Sequence, residues 1–139
     1  MSSVIKYLIV GLWVSASVAA LADTQVPVES ADGKVLVVLL FDVKCKTWCS
    51  ETRPRMRELQ QIFGDKIAVA ELDTTQSVLK ETEKKAKELG ILGKIADSID
   101  YVPDVLIFDE RRKLAKELTG PKETGVYQKV IEKLLSRNK

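Results

Sequence analysis

Histidine is absent from this 139-residue sequence. Its absence excludes Ser–His and Cys–His nucleophilic catalysis and every metal site built on imidazole. An excess of charge is lacking too. Lys and Arg number 22 against 20 Asp and Glu, a formal net charge of +2. So balanced a surface gives no electrostatic reason to expect DNA or RNA as a partner. There is no internal repeat and no low-complexity tract, which excludes solenoids and disordered arrays. Cysteine is scarce, with two residues, Cys45 and Cys49. Chemistry is left to Cys, Asp, Glu, Lys, Tyr, Ser and Thr.

What is present suits one ordinary domain with one core. The chain is 45% hydrophobic and 30% charged, as soluble domains of this length are. Residues 1–22 have three parts: Lys6 as a short positive region, a mostly apolar run from Tyr7 to Val18, and small residues at Ala20-Leu21-Ala22 before Asp23. That is the pattern of a cleaved export signal. No cysteine follows the apolar run, so a lipid anchor is not expected. The run from Val4 to Ala22 is barely long enough to span a bilayer, and membrane contact is expected only through it, if it stays uncleaved. The expected location is therefore outside the cytoplasm, in a bacterial periplasm, where a cysteine pair can stay oxidised. The expected division is an export signal at 1–22, a polar lead-in at 23–33 and a folded domain at 34–139.

The mature chain alternates strand and helix signals. Val35 to Phe41 is an unbroken apolar run, expected as a central strand covered on both faces. Cys49 to Phe63 is predicted as a helix, with Met56, Leu59, Ile62 and Phe63 on its inner face and Gly64 as its stop. Ile67 to Leu72 is a second strand. Gln76 to Leu89 is a charged helix with Val78, Leu79, Ala86 and Leu89 inward. Residues 91–100 form a helical turn or an insertion. Val105 to Phe108 and Lys113 to Leu118 make a hairpin around a turn at 109–112. Lys122 to Leu135 is a terminal helix with Val126, Val130, Ile131 and Leu134 inward. Tyr101 is expected to pack. The order β-α-β-α-β-β-α implies an α/β fold: three layers, with helices on both faces of a four-stranded mixed sheet.

This order is similar to the thioredoxin core, and the motifs fall in step with it. Thioredoxins run from an apolar strand ending in Phe into a Trp-Cys-Gly-Pro-Cys site at a helix N-terminus, with a Pro five residues after the second Cys. Here Val35 to Phe41 is the strand, Cys45-Lys46-Thr47-Trp48-Cys49 the site, and Pro54 the later proline. The family's Ile-Pro-Thr segment, with its cis peptide bond facing the cysteines, is matched by Val102-Pro103-Asp104, and its glycine after the hairpin by Gly120. The resemblance covers about residues 34 to 137. It implies a thioredoxin-like, thiol–disulfide-exchanging protein with Cys45 and Cys49 catalytic. Trp48, Val102 and Pro103 would meet the substrate.

The sequence also departs from the family. The spacing is Cys-x-x-x-Cys in place of Cys-x-x-Cys. Aligned without a gap, Cys49 matches the second cysteine and Lys46 stands at the place of the nucleophile; with a one-residue insertion Cys45 takes that place. Leu40 stands where the family has a buried Asp.

The chemistry of the pair follows from position. Cys45, between Lys44 and Lys46 near a helix N-terminus, is expected to have a pKa below that of a free thiol. Cys49, about one turn in, is expected to be more buried and to resolve. Residues four apart in a regular helix hold their Cβ atoms about 5–6 Å apart, too far for a disulfide at about 3.5–4.5 Å. Cys45 is therefore expected outside the regular helix. Closing so short a loop contributes only about 2 kcal/mol, so a chemical role is favoured over a structural one. The expected partners are proteins bearing thiols or disulfides, and a second protein that supplies or accepts electrons; no organic cofactor is implied. Two alternatives stand. One is a binding module with a fixed disulfide. The other is Cu(I) capture by Cys45 and Cys49, as in Sco-type chaperones, although these also use a His. Met56 fits the core stripe better than a metal site.

Overall fold

The computed structural model describes residues 31–137. The export-signal reading of residues 1–22 and most of the lead-in lie outside the described residues. Four strands, β1 (Val35–Phe41), β2 (Ile67–Asp73), β3 (Asp104–Phe108) and β4 (Leu114–Thr119), form one sheet in the order β2-β1-β3-β4. β1 runs parallel to β2 and antiparallel to β3, and β3 is antiparallel to β4. The helices are α1 (Lys46–Phe63), α2 (Leu79–Glu88), the short α3 (Leu92–Ile95) and α4 (Thr124–Ser136). The α/β architecture read from the sequence is the one observed.

β1 is apolar throughout because both its faces are covered. Val35, Val37 and Leu39 point to the layer built by α1 and α4, against Met56, Leu59 and Tyr127. Leu36, Val38 and Leu40 point to the layer of α2 and α3, against Ala86, Leu89 and Ile95. The alternation follows from the two-residue period of a strand. Burying each of these side chains contributes about 1.5–3 kcal/mol. The central β1–β3 pair, the best covered in the molecule, therefore anchors whatever leaves its end.

Several expectations are corrected. Helix α1 begins at Lys46, three residues before the predicted start. On it Ile62 is exposed, while Thr52 is buried with its hydroxyl donating to the Trp48 carbonyl (2.8 Å). In α2, Thr82 takes the inward place expected of Leu79; its hydroxyl donates to the Asp73 carbonyl at the end of β2. On α4, Val126 is exposed and Tyr127 is buried in its stead, because its ring fills the space between α1 and the sheet while its hydroxyl accepts the Lys122 N–H (3.2 Å). Tyr101, expected to pack, is exposed.

Arg112 joins three separate segments. It sits in the tight β3–β4 turn with φ 64°. Its guanidinium donates to the carbonyls of Leu89 (3.1 Å), Lys34 (2.9 Å) and Ala31. The chain entering β1, the end of α2 and the hairpin are thereby held together.

Candidate active site

The site lies where β1 gives way to α1. After Phe41 the chain turns through residues 42–45, and side-chain oxygens set the turn. The Lys44 N–H donates to Asp42 Oδ1 (2.7 Å), and the Cys45 N–H to the Asp42 carbonyl (3.0 Å). From the loop after β2, Thr75 Oγ1 accepts the Val43 N–H (3.1 Å), and the Thr74 N–H donates to the Phe41 carbonyl (2.7 Å). Cys45 then stands at the N-cap of α1, with φ −80° and ψ 71°, outside helical geometry. Its side chain makes no capping hydrogen bond.

Cys45 and Cys49 are joined in a disulfide, with Cα atoms 5.6 Å apart. The non-helical ψ of Cys45 is what permits it. The expectation that Cys45 leaves the regular helix holds, although Lys46, Thr47 and Trp48 are helical and form no loop. The two sulfurs differ in access. Cys45 is half-buried, and Cys49 is 5% exposed. Trp48 between them is 59% exposed and stands in solvent.

One turn further, Arg53 ties α1 to the sheet. Its guanidinium is 2.8 Å from Glu71 on β2 and 4.6 Å from the centroid of the Phe41 ring. Met56 is buried in the core beneath the helix. Among the described residues no group of three or more Cys, Asp or Glu is arranged to hold a metal ion.

The segment before β3 runs to the same end of the sheet. The register pairs Leu40 with Asp104, so residues 101–103 enter β3 where residues 41–43 leave β1. The Val102–Pro103 peptide is cis, as the resemblance implies. The Gly120 N–H, at φ 75°, donates to the Pro103 carbonyl (2.8 Å). Val102 is half-buried and Pro103 buried. The geometry thus brings Val102 and Pro103 to the end of the sheet that carries the disulfide.

Asp104 is the residue the sequence reading missed. It is 0% exposed, and neither carboxylate oxygen has a hydrogen-bond partner among the described residues. Burial raises its pKa to about 7, and the neighbouring Glu117 carboxyl on β4 adds to the rise, while Thr119 and the Val105 N–H oppose it. Glu117 Oε1 in turn accepts the Ser98 hydroxyl (2.8 Å). The sequence held a signal: an acid directly after the proline that the resemblance sets against the cysteines. An acid after a proline is also an ordinary turn pattern, so the residue type alone does not single it out.

A single disulfide at the N-terminus of the helix after the first strand, with a proline loop from the third strand at the same sheet end, defines a class of α/β protein. The fold is thioredoxin-like. The exposed lipoprotein thioredoxin of Streptococcus pneumoniae superposes with a TM-score of 0.54 at 18% identity, over 75% of this chain and 87% of that one. A DsbF homologue from Corynebacterium diphtheriae gives 0.52 at 18% identity, over 75% of this chain and 74% of that one. A malarial protein gives 0.52 at 18% identity, over 73% of this chain and 98% of that one. No protein-family profile matches the sequence, and no curated protein does either.

Proposed function

We infer that the chain is a thiol–disulfide exchange protein acting on other proteins outside the cytoplasm, with Cys45 as nucleophile and Cys49 as resolving thiol. The observation that carries this reading is the unequal access of the two bonded sulfurs at the start of α1: Cys45 half-buried, Cys49 5% exposed. An incoming sulfur reaches the first far more readily than the second, so the two have separate tasks.

In the reducing direction the Cys45 thiolate attacks a substrate disulfide. A Cys45–substrate disulfide forms, and the other substrate sulfur leaves as thiolate. Cys49 then gives up its proton and attacks the Cys45 sulfur. The intramolecular disulfide forms, the second substrate thiolate leaves, and two electrons have passed to the substrate. A further dithiol protein restores the pair. The oxidising direction is the reverse. Val102, whose backbone makes no hydrogen bond to another backbone group among the described residues, would hold an extended substrate beside the sulfurs by strand-like pairing, next to Pro103. Trp48 would contact the substrate.

Export rests on residues 1–22, and is supported by one similar structure being described as an exposed lipoprotein. No helix among the described residues is long and apolar enough to cross a membrane.

The test is the reduction potential of the Cys45–Cys49 pair, by equilibration in glutathione buffers with thiol trapping and mass readout. Exchange proteins fall between about −120 and −270 mV, and a value in that range is expected. A pair that stays closed below about −300 mV would mark a structural cross-link and sink the reading.

A further inference from the structure

The surface around the disulfide has a composition of its own. The three most exposed large apolar side chains among the described residues are Tyr101 (60%), Trp48 (59%) and Val43 (57%). They come from three different segments: the turn before β3, the first turn of α1 and the turn after β1. All three segments meet at one end of the β1–β3 pair, because Leu40 on β1 is in register with Asp104 on β3. Val43 and Trp48 lie two residues before and three after Cys45, and Tyr101 lies two before Pro103. Apolar side chains left bare together around a chemical centre mark a contact surface, and exposed Trp and Tyr are the preferred anchors of such surfaces.

Charge in this collar has one sign next to the nucleophile. Lys44 and Lys46 flank Cys45, and both are exposed. Neither side chain forms an ion pair or hydrogen bond among the described residues. By contrast Arg53, one turn along α1, is matched by Glu71. The acids on these segments and the adjoining loop are Asp42, half-buried with Oδ1 on the Lys44 N–H, Asp73, half-buried with Oδ1 on Thr75, and Glu51 and Asp100, both exposed. The two lysines therefore stand as unmatched cations immediately beside the sulfur that a substrate must approach.

We propose that the collar selects its substrates: extended protein segments in which the reacting cysteine is neighboured by an aliphatic or aromatic residue and by an acid. The inference rests on the exchange reading above and names its substrate class. The apolar neighbour covers Trp48, Tyr101 and Val43 and is thereby removed from water. The acid meets Lys44 and Lys46, which raises the encounter rate and lowers that of basic segments.

The test uses the full 139-residue chain carrying Cys49→Ser, reduced and freed of reductant. Synthetic peptides with one cysteine, activated as the thionitrobenzoate disulfide, are offered in four compositions: apolar or polar neighbour, acidic or basic neighbour. The Cys45 thiolate attacks the peptide sulfur, a Cys45–peptide disulfide forms, and coloured thionitrobenzoate leaves and is counted. A small neutral disulfide gives the reference rate, so that changes in Cys45 itself divide out. The apolar–acidic peptide is expected to react about tenfold faster than the polar–basic one at low salt, with the acid preference fading as salt rises. Adding Lys44→Glu and Lys46→Glu is expected to reverse the charge preference. Adding Trp48→Ser and Tyr101→Ser is expected to erase the apolar one. Equal rates for all four peptides, or a preference for the basic ones, overturn the proposal while exchange itself stands. No reaction even with the small disulfide overturns both.

Discussion

Asp104 lies directly across the β1–β3 ladder from Leu40, and paired residues on antiparallel strands point to the same face of the sheet. Both side chains are fully buried. The resemblance to thioredoxins sets a buried acid at the place of Leu40. In this protein a buried carboxyl stands on the neighbouring strand instead, one residue after Pro103. Leu40 faces it from β1, Glu117 and Thr119 act on it from β4, Ser98 reaches Glu117 from the turn after α3, and the buried Tyr127 on α4 is close enough for the Asp104 charge to raise its own pKa.

A pH-dependent stability follows. The Asp104 carboxyl moves from 3.8 to about 7 on folding. Its neutral form is thus favoured in the fold, and its contribution is complete below the unfolded value. As pH rises from about 4 to about 7, the unfolded chain releases this proton and the folded chain keeps it, so stability falls. At about 1.4 kcal/mol per pH unit the fall is on the order of 4 kcal/mol. Urea unfolding across this range should show that slope in the parent and its loss in Asp104→Asn, which should be the more stable of the two above about pH 7. Identical slopes in both would mean that Asp104 ionises freely in the fold.

The two cysteines should fail in different ways. Cys49→Ser should accumulate a stoichiometric mixed disulfide with a protein substrate, because nothing resolves it. Cys45→Ser should form none, because its remaining sulfur is 5% exposed. Mass spectrometry of acid-quenched mixtures separates the two outcomes. Trapping through Cys49 in the Cys45→Ser chain would reverse the two roles.

How much of this was legible beforehand depends on the reach of each interaction. Val35 to Phe41 was readable because a strand covered on both faces has no polar position to hide. The disulfide was readable because two cysteines four apart leave few geometries. Tyr127 was missed because Val126 fits a helical stripe about as well by hydropathy alone, and only the space between α1 and the sheet selects the larger ring. Asp104 was missed because it is buried between β1 and β4, across from Leu40 and Thr119, which no local pattern reports. Arg112 was placed in the turn, but its partners lie 23, 78 and 81 residues away in sequence.

Arg112 should accordingly carry more stability than an ordinary turn residue. Three backbone carbonyls from two distant segments share its guanidinium, and hydrogen bonds to a charged group are worth about 1.5–3 kcal/mol each, without simple additivity. Arg112→Ala should lower the unfolding free energy by about 2–4 kcal/mol. Arg112→Lys should recover less than half of that, since an ammonium cannot span the fork that a guanidinium does. Denaturant unfolding measures both. A loss within about 0.5 kcal/mol, typical of surface changes, would show that water replaces these bonds without penalty.

Met56 separates the core reading from the copper reading. It is buried with Leu59 and Phe63 under α1, against the sheet face that carries Val37 and Leu39. A thioether held there fills space. Met56→Ala should therefore cost about 2–5 kcal/mol through the cavity it opens, whereas the near-isosteric Met56→Leu should cost less than about 1.5 kcal/mol. The same Met56→Leu chain can be titrated with Cu(I) against a chromogenic chelator after reduction of the pair. Two thiolates alone are able to bind Cu(I), so binding by the parent would not by itself implicate the thioether. An affinity unchanged by Met56→Leu leaves Met56 as packing. An affinity lowered tenfold or more would require the sulfur to leave the core and reach the cysteines, which the burial of Met56 opposes.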